Sequence, residues 1–204
     1  MKRWIVAITG ASGSSYGRRL IQVILENFND IGLDIITSDA ALRVIREEEG
    51  LKISSGSRTL AALIPELQTT ITIDSRFTWH SCEDIGATIA SGSVQVEGMV
   101  ICPCSMNTLA AIAHGISANL IQRAADVTIK EGRHLILVPR ETPLSPIHLE
   151  NMLRLARLGA VIAPAMPGFY HRPGSLAELI DMQVMKILDQ MGLQTNLASR
   201  WKQQ

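Results

Sequence analysis

Lys2-Arg3-Trp4-Ile5-Val6-Ala7-Ile8-Thr9-Gly10-Ala11-Ser12-Gly13-Ser14-Ser15-Tyr16-Gly17 joins an apolar run to a turn of small residues and then to an amphipathic segment. An apolar run that ends in Gly and Ser reads as a buried strand passing into a helix. The segment that follows carries Leu20, Ile21, Ile24, Leu25 and Phe28 on one helical face, with Gly32 as its expected stop. After the first strand at 3–9, similar short β-rich runs recur at 33–37, 98–102, 134–138 and 160–164, separated by stretches of helical period. This alternation predicts an α/β fold, a parallel sheet covered by helices on both faces.

Two helix starts are well marked. Ser145-Pro146 places a cap before a proline at the first helical position, and Ser175-Leu176-Ala177-Glu178 reads as a capping box opening a helix that runs to Gly192. Between Lys52 and Ser93 the pattern predicts a helix near Thr59–Leu67, a Thr/Ile alternation at 69–73 and a polar loop around Trp79. No repeat or low-complexity linker divides the 204 residues, which read as one domain over 1–204 with a C-terminal tail from about residue 193.

Nineteen Lys plus Arg balance nineteen Asp plus Glu, so the net charge is 0. That excludes a generally basic surface for nucleic acid or anionic membranes, and any phosphate chemistry must rest on a few placed cations. With only 4% aromatic residues the core must be aliphatic. A mean hydropathy of +0.19 points to apolar surface buried between subunits. No stretch reaches the ~18 to 20 apolar residues of a membrane helix. Lys2-Arg3 followed by Trp4–Ile8 imitates a signal peptide, but its apolar part is shorter than the ~7 residues such a segment needs. Cys82, Cys102 and Cys104 form an odd set, and one Cys-Pro-Cys without a second pair is not zinc spacing. Reduced thiols in a cytoplasmic protein without a metal are the simpler account.

In an open parallel sheet, ligands bind beyond the carboxyl ends of the strands, near the point where strand order reverses. The loop Thr9–Gly17 can hold an anion with its amides and the helix dipole, Ser12 adding a hydroxyl, although a Gly/Ser turn is also what sterics alone would require. It is neither GxGxxG nor a Walker loop. Pro103–Thr108 repeats the pattern after the third run, and two such loops side by side suit a mononucleotide. Arg123 and Lys130, seven apart on a helix predicted over 119–131, share a face two turns apart. They are either a solvated basic face or cations aimed at something, and the charge-poor Asn119–Val127 favours the second. Arg140-Glu141 at a strand end is either a surface ion pair, worth ~0 to 1 kcal/mol, or a fixed cation beside a tunable carboxylate. Glu48, inside Glu47-Glu48-Glu49, reads by composition as a solvated helix end. His80, His114, His134, His148 and His171 show no metal spacing.

Taken in order, these segments resemble one known family, the UbiX-type flavin prenyltransferases, once regarded as phenylacrylate or polyprenyl-hydroxybenzoate decarboxylases. The resemblance runs through Gly10-Ala11-Ser12-Gly13 with Tyr16-Gly17, Ser91-Gly92-Ser93 and Pro103-Cys104-Ser105. It continues through Arg123-Ala124-Ala125-Asp126 with Lys130-Glu131, Val138-Pro139-Arg140-Glu141-Thr142-Pro143-Leu144, Ile147–Met152 and Phe169-Tyr170-His171. It covers nearly the whole chain.

The resemblance implies a Rossmann-like, doubly wound dodecamer with FMN at a subunit interface. There the dimethylallyl group of dimethylallyl monophosphate is transferred to N5 and then C6 of reduced FMN, without a metal. The product, prenylated FMN, serves UbiD-type decarboxylases. By position, Gly10, Ala11, Ser12, Ser38, Ser105, Met106, Asn107, Thr108 and Arg140 fall where the family contacts FMN. Tyr170 and Lys186 fall where it binds the prenyl phosphate, with Arg123 and Lys130 supplying further charge as phosphate leaves. Glu48 and Glu141 complete the implied active site, Glu141 exchanging protons with phosphate and Ser12 relaying one near N5. The chain departs from the family in carrying Lys186 where Arg is usual, and in a longer Lys52–Ile85 region, where Trp79 or Ile85 would border the prenyl pocket. Trp201 belongs to a C-terminal Arg-Trp pair that the family shares. Two alternatives stay open: a non-catalytic carrier of FMN or prenylated FMN, and a flavin-dependent cysteine-type decarboxylase, whose PASANT segment Pro103–Thr108 echoes.

Overall fold

The computed structural model describes residues 1–53, 59–67 and 76–200. Six strands form one sheet: β1 (Lys2–Ile8), β2 (Ile31–Thr37), β3 (Phe77–Ser81), β4 (Gly98–Cys104), β5 (His134–Pro139) and β6 (Val161–Ile162). Their order is β3-β2-β1-β4-β5-β6 and every pairing is parallel. The chain winds outward from β1 in one direction, then returns to start β4 on its other side. That is the doubly wound, Rossmann-like order, and its reversal point lies between β1 and β4.

Strand alternation divides the core into two layers. Trp4, Val6 and Ile8 of β1, with Leu33 and Ile35 of β2 and Val100 and Cys102 of β4, face α1 (Ser14–Asn27), α2 (Asp39–Glu49) and α7 (Leu176–Gln190). Ile5, Ala7, Ile36, Met99, Ile101 and Cys104 face α4 (Met106–Ala113), α5 (Leu120–Lys130) and α6 (Pro146–Arg157). A strand covered on both sides needs no polar alternation, which is why the central strands read as continuous apolar runs. Gly17 lets α1 lie close on the sheet, because a Cβ there would stand 2.1 Å from the Cys102 carbonyl oxygen.

The expected strands are present, and both marked helix starts are where the sequence places them. Ser145 accepts from the His148 amide, and the His148 ring returns the bond to the Ser145 amide. Ser175 caps α7, although the Glu178 carboxylate accepts from the Gly174 amide as well as from the Ser175 hydroxyl. Three expectations need correction. Gly32 does not stop α1: the helix ends at Asn27, where Phe28 turns extended, and Gly32 lies inside β2. The helix near Thr59–Leu67 is broken into α3 (Leu60–Leu63) and a 3₁₀ turn at Pro65–Leu67, since Pro65 disfavours helical backbone at Ile64 and brings no N–H. The polar loop around Trp79 is instead edge strand β3, whose polar groups are met by β2: the Trp79 indole donates to Thr37 and the His80 ring contacts Asp34 at 2.8 Å. The Thr/Ile alternation at 69–73 and Trp201 lie outside the described residues.

Candidate active site

At the reversal point, Thr9 locks two strand ends together. It is 1% exposed, its hydroxyl donates to the Pro103 carbonyl at 2.8 Å, and the same oxygen accepts from the Ser105 amide at 2.7 Å. The loops after β1 and β4 are thereby held side by side. Gly10 keeps the first loop against the start of α2, where a Cβ would come 2.5 Å from that of Ala40. Gly13 takes a left-handed conformation (φ 94°) to enter α1, an angle a side chain would disfavour.

Around this clamp stand the residues that the resemblance places against FMN. Ser38 caps α2, accepting from the Ala41 amide and keeping its own hydrogen for another acceptor. Ser105 caps α4, accepting from the Thr108 amide and donating to the Thr108 hydroxyl, whose hydrogen remains available. Asn107 is exposed beside them. Met106 is 8% exposed and packs in the core with Leu109 and Ile112, so it can offer a ligand backbone rather than side chain. From β5, Arg140 donates through Nε to the Ser12 carbonyl at 3.1 Å, placing a cation next to the first loop. A rim of amides and hydroxyls with one guanidinium fits a neutral ring system carrying a phosphate tail.

The anion at the start of α1 is internal. Glu48 on α2 accepts from the Gly13 amide at 3.0 and 3.1 Å, and from the Ser14 amide and hydroxyl at 3.1 and 3.0 Å. It is therefore not merely a solvated helix end: it fills the place that the Gly/Ser loop offers to a phosphate. Burial pushes its carboxyl up, but hydrogen bonds from Ser12, Gly13 and Ser14 outweigh burial and hold it below the ordinary glutamate range.

Arg123 and Lys130 share the face their spacing predicts. Arg123 donates to the Ala90 carbonyl at 3.2 Å and pairs with Asp126 at 3.0 Å. Lys130 pairs with Glu131, and its Nζ lies 2.9 Å from where a Cβ on Gly92 would stand. Both cations thus border Ala90–Gly92. Glu141 is exposed and accepts from the Thr142 amide. Tyr170 packs over Gly168, and its hydroxyl meets the Met182 sulfur at 3.6 Å. Lys186 follows Met182 by one turn of α7 and is exposed. The structure brings together Gly10–Ser12, Ser38, Glu48, Ser105–Thr108 and Arg140, and separately Arg123 with Lys130; Tyr170 and Lys186 are linked through α7, Lys186 one turn past Met182, and Glu141 follows Arg140, exposed. Thr9, Ser14 and Glu49 were not singled out from sequence. Their only signal was position, a strand end, a helix start and the last turn of α2.

A doubly wound sheet with a hydroxyl-lined reversal point and Arg140 at its edge is a build suited to a nucleotide ligand, and the family model described as Flavoprotein matches residues 1–189. A flavin prenyltransferase UbiX of Halalkalibacterium halodurans is 48% identical over 198 residues, covering 97% of this chain and 92% of the relative. Among solved structures, AnUbiX in complex with FMN and dimethylallyl pyrophosphate has a TM-score of 0.85 at 38% identity, covering 100% of this chain and 98% of that one. A dodecameric FMN-dependent UbiX-like decarboxylase from Escherichia coli O157:H7 has the same TM-score at 40% identity, covering 98% of this chain and 99% of that one. The chain belongs to the UbiX flavin prenyltransferase family.

Proposed function

We propose that this protein transfers the dimethylallyl group of dimethylallyl monophosphate to N5 and C6 of reduced FMN without a metal, giving prenylated FMN for a UbiD-type decarboxylase. The observation that carries this reading is end-to-end likeness to a structure holding FMN and dimethylallyl pyrophosphate, joined to a rim of donors and Arg140 at the reversal point. Bound reduced FMN supplies the nucleophile. Gly10, Ala11, Ser12, Ser38, the Ser105–Thr108 turn and Arg140 hold it. Arg123, Lys130, Tyr170 and Lys186 receive the phosphate and stabilise it as it departs, and Glu141, Glu48 and Ser12 manage protons.

The dodecameric relative supports a site completed between copies, and a dodecamer is the assembly we assign. A cytoplasmic location agrees with three thiols that form no disulfide. The cysteine-type decarboxylase is disfavoured: Cys102 and Cys104 are fully buried, and burial pushes Cys104 up to about 12 and Cys102 in the same direction, so neither is a ready thiolate. A mere carrier would need no cations poised for a leaving group.

The test mixes purified protein anaerobically with reduced FMN and dimethylallyl monophosphate, without metal, and weighs the bound flavin by mass spectrometry. Addition of one C5H8 unit, abolished in Glu141→Gln, is the expected result. Unmodified but tightly bound FMN, with monophosphate and with diphosphate donor alike, would overturn the reading in favour of a carrier.

A further inference from the structure

Ser14, fully buried at the start of α1, stands between two carboxylates. Its hydroxyl oxygen lies 3.0 Å from Glu48 Oε2 and 2.6 Å from Glu49 Oε1. A serine hydroxyl has one hydrogen and can donate it to only one of them. The row Glu48 Oε2, Ser14 Oγ, Glu49 Oε1 therefore has room for one more proton, and when it holds that proton both contacts become hydrogen bonds. Each end has its own stabiliser: the Gly13 and Ser14 amides at Glu48, and the Arg18 guanidinium at Glu49. The extra proton is not trapped at either end.

We propose that Ser14 and Glu49 form a proton outlet for Glu48, carrying a proton received in the active site to solvent on the far side of the helix start. The inference rests on Glu48 belonging to the site, as read above. Ser14 and Glu49 act through Glu48 and are not themselves catalytic. In the outward step the O–H bond at Glu48 Oε2 breaks as its hydrogen bonds to Ser14 Oγ, while the original Ser14 hydrogen leaves for Glu49 Oε1. Neutral Glu48 and anionic Glu49 become anionic Glu48 and neutral Glu49, with total charge unchanged. Glu49, whose side chain keeps 19% exposure, then gives the proton to water.

Substrate seated over Ser12 covers the site side of Glu48, whereas this path leaves between α1 and α2. The charged groups facing it are Arg18 on α1, Glu48 and Glu49 on α2, and Glu66, which meets Arg18 at 3.3 Å. Arg18 and Glu66 border a cavity of about 390 Å³ that Arg19 and Asp181 also line, a space next to the Arg18–Glu49 pair wide enough for solvent. A carboxyl held as an anion by two amides is suited to pass a proton on rather than store it.

The test has two parts. In ligand-free protein, pH-difference infrared spectra follow the carboxyl groups, with Glu48→Gln and Glu49→Gln assigning the two bands. Coupling through the hydroxyl predicts that removing either carboxylate moves the midpoint of the other by about 1 pH unit or more, and that this shift falls severalfold in Ser14→Ala. The residue 14 amide still bonds Glu48 in that variant, so the helix start is kept. In turnover, Ser14→Ala should lower kcat about tenfold with KM for dimethylallyl monophosphate unchanged and a larger solvent deuterium effect, and Ser14→Thr should restore kcat. Equal couplings in native protein and Ser14→Ala, or an unchanged kcat in Ser14→Ala, would overturn the relay. If the native protein makes no prenylated FMN, the proposed function fails while the infrared couplings still decide the relay.

Discussion

Lys186 carries its charge on a single ammonium, exposed one turn past the methionine that Tyr170 touches. An ammonium meets a phosphate as a point charge, whereas a guanidinium presents two parallel donors to two phosphate oxygens. Lys186→Arg should therefore lower KM for dimethylallyl monophosphate by about threefold to tenfold, the equivalent of ~1 kcal/mol, and leave kcat nearly unchanged. Steady-state kinetics with FMN saturating measures this, and an unaltered KM would remove Lys186 from the phosphate site. Residue identity made Arg140 and Lys130 legible in the sequence, because a cation at a strand end or on a charge-poor helix is visible as such. The role of Glu48 was not legible from composition. Among three consecutive glutamates the family resemblance singles out Glu48, and the fold shows how it reaches 35 residues back to the Gly13 amide. Met106 misleads in the opposite sense: it stands in the loop-to-helix segment at the reversal point, yet its side chain turns into the core.

At the scale of elements, legibility followed burial. β1, β2, β4 and β5 lie between two helical layers, and their apolar runs gave them away. β3 has a neighbour on one side only, so its sequence is free to be polar, and Asp34, Arg3 and His80 replace apolar contact there. Arg3 Nε meets Asp34 Oδ2 at 2.8 Å and His80 Nε2 meets Oδ1 at 2.8 Å, across β1, β2 and β3. Burial pushes the Asp34 carboxyl up, but the bonds from His80 and Arg3 outweigh it and hold it below the ordinary aspartate range. A carboxyl depressed in the folded state stabilises the fold above its unfolded pKa of ~3.9, and that stabilisation is lost as pH falls through the folded value. Asp34→Asn should cost roughly 2 to 3 kcal/mol at pH 7, since it removes the charge and one of the two acceptor oxygens, turning an N–H donor toward Arg3 or His80. The variant should also lose part of the steep decline of native stability in acid. Urea denaturation between pH 6 and pH 3 tests both, and parallel native and variant curves throughout would show that Asp34 does not bind the edge strand through its charge.

For the whole molecule, the question is what covers the outer face of α6. Leu149 is 52% exposed and Leu153 51% exposed, one turn apart, on a chain whose net charge is 0 and offers no long-range repulsion to keep copies apart. Exposed leucines clustered on one helix face, in a family with a dodecameric member, are best explained as buried between subunits. Replacing both with lysine should leave the fold of each chain intact, because neither side chain belongs to the core layers, while breaking the assembly. Analytical ultracentrifugation should then show species smaller than those of the native protein, with an unchanged far-ultraviolet circular dichroism spectrum. Because Arg123 and Lys130 border Ala90–Gly92 whereas Arg140 and Glu48 stand at the β1–β4 reversal point, a site assembled between copies requires that prenyl transfer fall with the assembly. Retained transfer by the smaller species would mean instead that one chain folds these residues around the flavin unaided, and native mass in the double variant would move the subunit contacts to another face.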